Sequence, residues 1–478
     1  MPFRLFSVIS NRALCHRKRQ TALRPVCKYA LAGLLSFTLT TALTAQETET
    51  AAKADPAATS LYKLLFVDVP VPFVPELDTV LPAFSPPLDP EDDPEFRGRK
   101  DAITNYQTAV EDIELIGGTW DRSLIEELFA IGVLQQQQGN HVEAIQLFDR
   151  AIHVNRIHSG LQTLEQIPFV EKMIESHLAL GDWDQADIYN DYLFYIQQRA
   201  YGPNDPRMIP VLDRLASWNI QAFNIGHGES LGLRLSTAQI LLNAATKMVA
   251  VHFGEDDARF ISYRRNLANS AFLVSSNPEV MAASQELEYL SAAEMLTSKL
   301  AAPSSQLPGG FRAGETALLE IMEHYSGREN STYELATALA DLGDWHLIFQ
   351  RRAEAEDFYA EAWALLEGSE RAEEWQQQLF GQVTPIPTFA NSVESLFTPS
   401  IVTDEGNSVH FDYAEVVFDV SISGDPRNIG VLTEETVSNS GHLSRVQRVI
   451  RNSYFRPRLE NGVIMQSDRN YFRYRYWY

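Results

Sequence analysis

Along residues 101–379 apolar positions recur at three- and four-residue spacing, broken by short loops of Gly, Asn, Asp and Pro, which predicts successive amphipathic helices. The pattern stops at residues 381–410, where Pro385, Pro387, Pro399 and Gly406 mark a linker. Beyond it the period becomes two. Residues 413–422 alternate as a strand, Gly424-Asp425-Pro426 reads as a turn, and residues 427–432 return as a second strand. A helix over 442–452 places Leu443, Val446, Val449 and Ile450 on one face. In a final strand over 469–478, Phe472, Tyr474, Tyr476 and Tyr478 share one face, and Arg469, Tyr471, Arg473, Arg475 and Trp477 the other. Ahead of the helices, Pro70, Pro72, Pro75, Pro82, Pro86, Pro87, Pro90 and Pro94 forbid a continuous helix or a central strand. The apolar residues between them (Val71, Phe73, Val74, Leu81 and Phe84) leave two readings open: a free linker, or a segment lying against the helices.

The helical stretch is self-similar. Leu128, Ile131, Gly132, Ala144, Phe148 and Ala151 keep the same internal spacing as Leu339, Leu342, Gly343, Ala355, Tyr359 and Ala362. Small residues at Gly132 and Ala144 would let two antiparallel helices approach closely, with Phe148 and Ala151 packing on the next pair. Between the two matches, Gly181 stands forty-two residues after Gly139 and is followed by Ala186, as in a further repeat turn. This spacing resembles that of the tetratricopeptide repeat. The segments 201–206 and 252–257 resemble the connectors of the longer, kinesin-light-chain type of repeat. The resemblance implies an α-α superhelix of about five to seven hairpins, whose groove holds a protein or peptide.

The last region resembles the TonB C-terminal domain. The residues that carry the likeness are Phe455, Pro457, Asn461 and Gly462 ahead of the final strand, and the Asp-x-x-x-x-Gly hairpin from Asp419 to Gly424. That resemblance implies an exposed strand edge, here carrying Arg469, Tyr471, Arg473, Arg475 and Trp477, which pairs with an extended peptide of an outer-membrane receptor. The chain departs from an energy transducer of that family. Its apolar N-terminal run has Ser36 and several Thr but no His, and repeats occupy the place of the long spacer. These departures imply a domain reused for binding, with the transducer as the alternative reading.

Charge sharpens the division. Residues 1–45 hold seven Lys or Arg and no Asp or Glu, followed within that stretch by the apolar run 29–42 and a small residue at Ala45, the shape of a secretory signal. Cleavage before Gln46 is the expectation, with an uncleaved membrane anchor as the alternative, although the run is short of the ~20 residues a spanning helix needs. Both cysteines, Cys15 and Cys27, lie in this leader, which excludes thiol catalysis and cysteine-based metal sites from the mature chain. The formal charge is −24, and residues 46–410 hold 23 basic against 55 acidic residues, whereas 411–478 hold nine Arg against eight. So acidic a surface repels nucleic acid and anionic membranes.

Little chemistry is written into the sequence. Gly228, Ser230 and Gly232 satisfy G-x-S-x-G beside His227, but a nucleophile elbow needs a strand before it and alternating α/β structure around it, and the upstream run reads as helical. His153 and His158 read as surface residues at a helix end, and the acidic clusters 255–257 and 373–374 as solvated faces. The expectation is a mostly α protein divided into a signal peptide (1–45), a Pro-rich acidic segment (46–100), a helical-repeat domain (101–380), a linker (381–410) and a small α+β domain (411–478). It would be a non-enzymatic periplasmic scaffold with protein or peptide partners in the envelope and no cofactor or metal. A serine hydrolase at Ser230 is the remaining alternative.

Overall fold

The computed structural model describes residues 66–68, 70–75, 94–228, 230–284, 310–388, 411–436 and 439–478. The leader with its cleavage position and most of the second linker lie outside them.

Helix α1 spans Pro94–Gly117 and starts earlier than the sequence pattern placed it. Pro94 closes the Pro-rich segment and opens the helix, because proline is tolerated in the first turn, where no intrahelical donor is needed. Helices α2 (Leu124–Gln137) and α3 (His141–Ser159), α4 (Ile167–Ala179) and α5 (Trp183–Tyr201), and α6 (Ile209–Asn224) and α7 (Leu231–Phe253) then form three hairpins. Helix α8 (Ala258–Ser276) is followed by the short α9 (Pro278–Ser284) and pairs with α10 (Gly310–Ser326), making a fourth. Helices α11 (Thr332–Ile348) and α12 (Arg352–Glu367) make the fifth, and α13 (Ala372–Phe380) closes the series. Each hairpin packs on the next through its second helix, so a core of Leu, Ile, Ala and aromatic side chains runs along the stack.

The hairpins share a turn. Asn140 N donates to Gln135 O, Asp182 N to His177 O, His227 N to Ala222 O and Arg351 N to His346 O, at 2.8–2.9 Å. The residue before each of these donors has positive φ: Gly139, Gly181, Gly226 and, in the fifth hairpin, Gln350 at 59°. Glycine at the first three is explained by the left-handed backbone.

A four-strand path with one extra pairing follows. Strands β4 (Phe411–Val420), β5 (Pro426–Val431) and β9 (Ser467–Trp477) are antiparallel, with β4 between the other two. Ala414, Val416 and Phe418 of β4 and Phe472, Tyr474 and Tyr476 of β9 form a core with Leu443, Val446 and Ile450 of helix α14 (Ser440–Arg451). Val449, placed by periodicity on that same face, is instead 40% exposed. Between α14 and β9, β6 (Tyr454–Arg456) pairs with β3 (Thr384–Ile386), so the start of the expected linker is built into the C-terminal region. Strands β7 (Leu459–Glu460) and β8 (Val463–Ile464) join through Asn461 and Gly462, both at positive φ. That is the two-residue turn for which Asn-Gly is the strongest sequence signal.

Two expectations are corrected here. The described part of the Pro-rich segment ahead of α1, residues 66–68 and 70–75, is not a free linker: β1 (Phe66–Val67) and β2 (Val71–Pro72) pair with β9 on the side away from β4. Nor is the C-terminal sheet independent of the repeats. Leu459 and Ile386 belong to the core of α11–α13, and Trp477 packs against Ile225 at the end of α6.

Candidate protein-interaction surface

The repeat residues identified by spacing form the contacts between paired helices. Leu128, Ile131, Ala144, Phe148, Ala151, Ala186, Leu339, Leu342, Ala355, Tyr359 and Ala362 are all buried. A Cβ on Gly132 would lie 2.5 Å from Phe148 Cε1, and one on Gly343 would lie 2.4 Å from Tyr359 Cε1. Hence the glycine of each first helix receives the aromatic ring of its partner helix. The connectors repeat as well. Asp205 and Asp257 accept from the backbone of Arg207 and Arg259, while the two guanidinium groups lie over Tyr201 and Phe253 at 4.3 and 3.8 Å. The bonds from these arginines hold each carboxyl at about 2.

Across the first helices of successive hairpins runs a row of polar side chains. Gln136 of α2 donates to Lys172 O and Ser176 Oγ of α4 at 3.1 and 3.0 Å. Glu171 of α4 pairs with Arg214 of α6, and Asn266 of α8 donates to Asp213 of α6 at 3.4 Å. Arg265 of α8 lies 3.8 Å from Asp341 of α11. Glu171 and Arg214 remain about a third exposed, so these charges are available to a ligand while fixed in place by one another.

Ser230 has a structural task. It precedes α7, where its hydroxyl accepts from Leu233 N at 3.3 Å as an N-cap, and helix α6 stands where an elbow would require a strand. Gly228, at φ 112°, leaves room for the Arg234 guanidinium, whose Nε would lie 3.0 Å from a Cβ there. Arg234 in turn makes a two-pronged bond to Asp187 at 2.7 and 2.8 Å, and Trp218 Nε1 donates to the same carboxylate at 2.7 Å. Burial acts to raise the Asp187 carboxyl, but these donors prevail and hold it below its ordinary range. His158 Nε2 lies 2.7 Å from Trp120 O, and His153 stacks obliquely on Trp120. Among the described residues no group of three or more His, Cys, Asp or Glu is placed to hold a metal ion, and no helix is long and apolar enough to cross a membrane.

In the C-terminal region Phe455 and Pro457 are buried, Phe455 against Phe418 and Phe472 at 4.8 and 5.9 Å. The edge expected to be open on β9 is occupied. Asp68 N donates to Arg475 O at 2.9 Å and Phe73 N to Tyr471 O at 3.1 Å. Arg475 pairs with Asp68, and Arg473 is bonded to Glu415 of β4 at 2.7 Å while lying over the Phe73 ring. Arg469 sits at positive φ where β9 meets the end of β4, its N–H donating to Asp419. Trp477, assigned to the partner-facing side, is only 1% exposed because Ile225 and Phe411 cover it.

Arg456, between the motif residues Phe455 and Pro457, was not singled out by the sequence. Its guanidinium enters the repeat region, donating to Asp344 at 2.8 and 2.5 Å and to Asp341 at 3.5 Å. Tyr359 donates to Asp344 at 2.8 Å and Thr388 to Asp341 at 2.6 Å. All three charged side chains are at most 3% exposed. Burial opposes the charge on Arg456, but Asp344 outweighs it and raises the guanidinium above its usual value. The available signal was two aspartates in the otherwise apolar run Leu339–Trp345 of α11.

No family model and no curated protein matches the chain. Many solved structures are similar to parts of it, two of them as follows. One is a Podosopora anserina kinesin light chain with nearly identical TPR-like repeats, at 12% identity and a TM-score of 0.31, covering 43% of this chain and 89% of that one. The other is BtubC (BKLC) from P. vanneervenii, at 11% identity and a TM-score of 0.33, covering 57% and 91%. The repeat architecture of this chain accordingly rests on its own five hairpins, the turn that four of them share and the glycine-aromatic contacts of the first and fifth.

Proposed function

We propose that this protein is a non-enzymatic scaffold of a Gram-negative cell envelope that holds protein segments along the first helices of its repeats. The observation that supports this most is the row of Gln136, Glu171, Asp213 and Arg214, polar and partly exposed on the first helices of three successive hairpins, with buried Asn266 continuing it onto a fourth. An acidic surface of this kind favours basic or polar extended ligands. A photoreactive side chain in place of Glu171 is expected to crosslink protein partners in living cells, and one in place of Val251, exposed at the end of α7, is not. Equal crosslinking from both positions would discard the reading.

Export to the periplasm is supported by the basic, apolar and small-residue order of residues 1–45. The mature protein should begin at Gln46. We read the terminal sheet as TonB C-terminal-like on Phe455, Pro457, Asn461 and Gly462. The transducer alternative requires the leader to stay in the inner membrane, so mass spectrometry of the mature N-terminus separates the two readings.

A further inference from the structure

Helix α14 turns Leu443, Val446 and Ile450 into the core of the terminal sheet, and its opposite face is basic. Arg445, Arg448 and Arg451 stand three residues apart on the outward side, all exposed, and the helix contains no acidic residue. Elsewhere in this region Arg456, Arg458, Arg473 and Arg475 are each paired with a carboxylate. Arg448 and Arg451 have no side-chain hydrogen bond or ion pair among the described residues. Like charges at this spacing repel one another, a cost that an anionic partner would offset.

The chain itself carries the complement. Helix α12 buries Ala355, Tyr359, Ala362 and Leu366 and presents its other side to solvent. Glu354, Asp357 and Glu361 lie along one flank of that side, and Glu356 and Glu367 along the other. Ala360 and Ala364, between the flanks, are exposed and small. None of these carboxylates has an ion pair or a side-chain hydrogen bond among the described residues. Asp357 and Glu361 are like charges one turn apart, and Glu367 stands at the negative end of the helix dipole with no basic residue in the last turn. The rows 445–451 and 354–361 also match in length, spanning about 9 and about 10 Å of helix axis. Within one chain both rows face solvent, so neither covers the other.

We propose that the outward face of α14 docks on the α12 face of a second copy of this chain, joining the basic terminal region of one molecule to the acidic repeats of another. The alanines let the arginine stems lie close against α12, and the guanidinium groups reach the carboxylates on either flank. The formal charge of −24 makes two copies repel at a distance. Ions screen that repulsion beyond about 8 Å at about 0.15 M salt, so at close range the matched faces decide. The contact lies on a second helix, apart from the polar row on the first helices, and stands or falls independently of that reading.

Sedimentation velocity on the protein purified from cells tests this. At about 0.15 M salt the sedimentation coefficient should rise with protein concentration, and at about 1 M, where the screening length is about 3 Å, the rise should disappear. Arg448→Glu and Asp357→Arg each set like charges at the centre of the contact and should each weaken association about tenfold or more. Both positions are exposed, so circular dichroism should not change. An equimolar mixture of the two variants should associate again, because the altered faces complement each other and the unaltered faces still pair. The proposal is overturned if the unaltered chain stays monomeric across the series, if either reversal leaves association unchanged, or if the mixture fails to recover it. Flotation of a monomeric chain with vesicles of anionic phospholipid, lost in Arg448→Glu, would assign the basic face to lipid headgroups instead.

Discussion

Gly343 and Gly132 do the same work in the fifth and first hairpins, but the rings that fill them are held differently. Both rings are fully buried, but Tyr359 is tied by its hydroxyl to Asp344, whereas Phe148, packed against Phe129, has no polar atom to tie it. Gly343→Ala should therefore cost about 1–3 kcal/mol in urea unfolding, the range for overpacking a filled core, and Gly132→Ala less. The charges beside Tyr359 make a second residue-scale prediction. Removing Arg456 as Arg456→Met leaves buried Asp344 without a cation and Asp341 with only Arg265 at 3.8 Å, a loss of about 3–5 kcal/mol for a broken buried pair. Burial raises the Asp341 carboxyl above the usual 3.8 even though Arg456 pulls it back. With the folded value raised, the stability linked to its proton is complete below the unfolded value and is lost as pH rises through the folded one. Asp341→Asn cannot titrate, so it should gain on the unaltered protein as pH rises above the unfolded carboxyl's 3.8, measured as the difference between urea midpoints. A variant that loses ground over that rise would contradict the assignment.

At the scale of elements, the recurrent turn lets one hairpin be corrected by the others. Gln350 holds the left-handed position that Gly139, Gly181 and Gly226 fill elsewhere. The penalty for a side chain in that conformation is roughly 1–2 kcal/mol, so Gln350→Gly should raise the thermal midpoint and leave the helical circular dichroism unchanged. Such turns were legible in the sequence where glycine marked them, at Gly139 and Gly181. The fifth was legible only through the spacing of Leu339, Gly343 and Tyr359 around it. The hairpin of α8 and α10 was not legible as a pair, because the second helix begins more than thirty residues after the first ends.

For the whole molecule, the contacts shared by the repeats and the terminal sheet predict that the two unfold as partners rather than as separate units. Deleting residues 411–478 removes Arg456 from Asp341 and Asp344, Leu459 from the core of α11–α13, and Trp477 from Ile225. The truncated chain should lose amide protection first in α11–α13, with α2–α7 following only at higher denaturant, as read by hydrogen exchange. Uniform protection equal to that of the full chain would mean the shared core contributes nothing.

What the sequence alone determined is whatever depends on short spacing: helical periodicity, the glycine-aromatic pairs sixteen residues apart, the Asn-Gly turn and the alternation of β4 and β9. These follow from local geometry, since 3.6- and two-residue periods and left-handed backbones place neighbours predictably. The tertiary structure alone decided which charges meet and which edges close. Arg456 finds Asp344 across 112 residues, and Asp68 finds Arg475 across 407. A buried charge needs an opposite partner, but any of several dozen acidic residues would satisfy that rule. Only the folded path of the chain brings one particular carboxylate within reach.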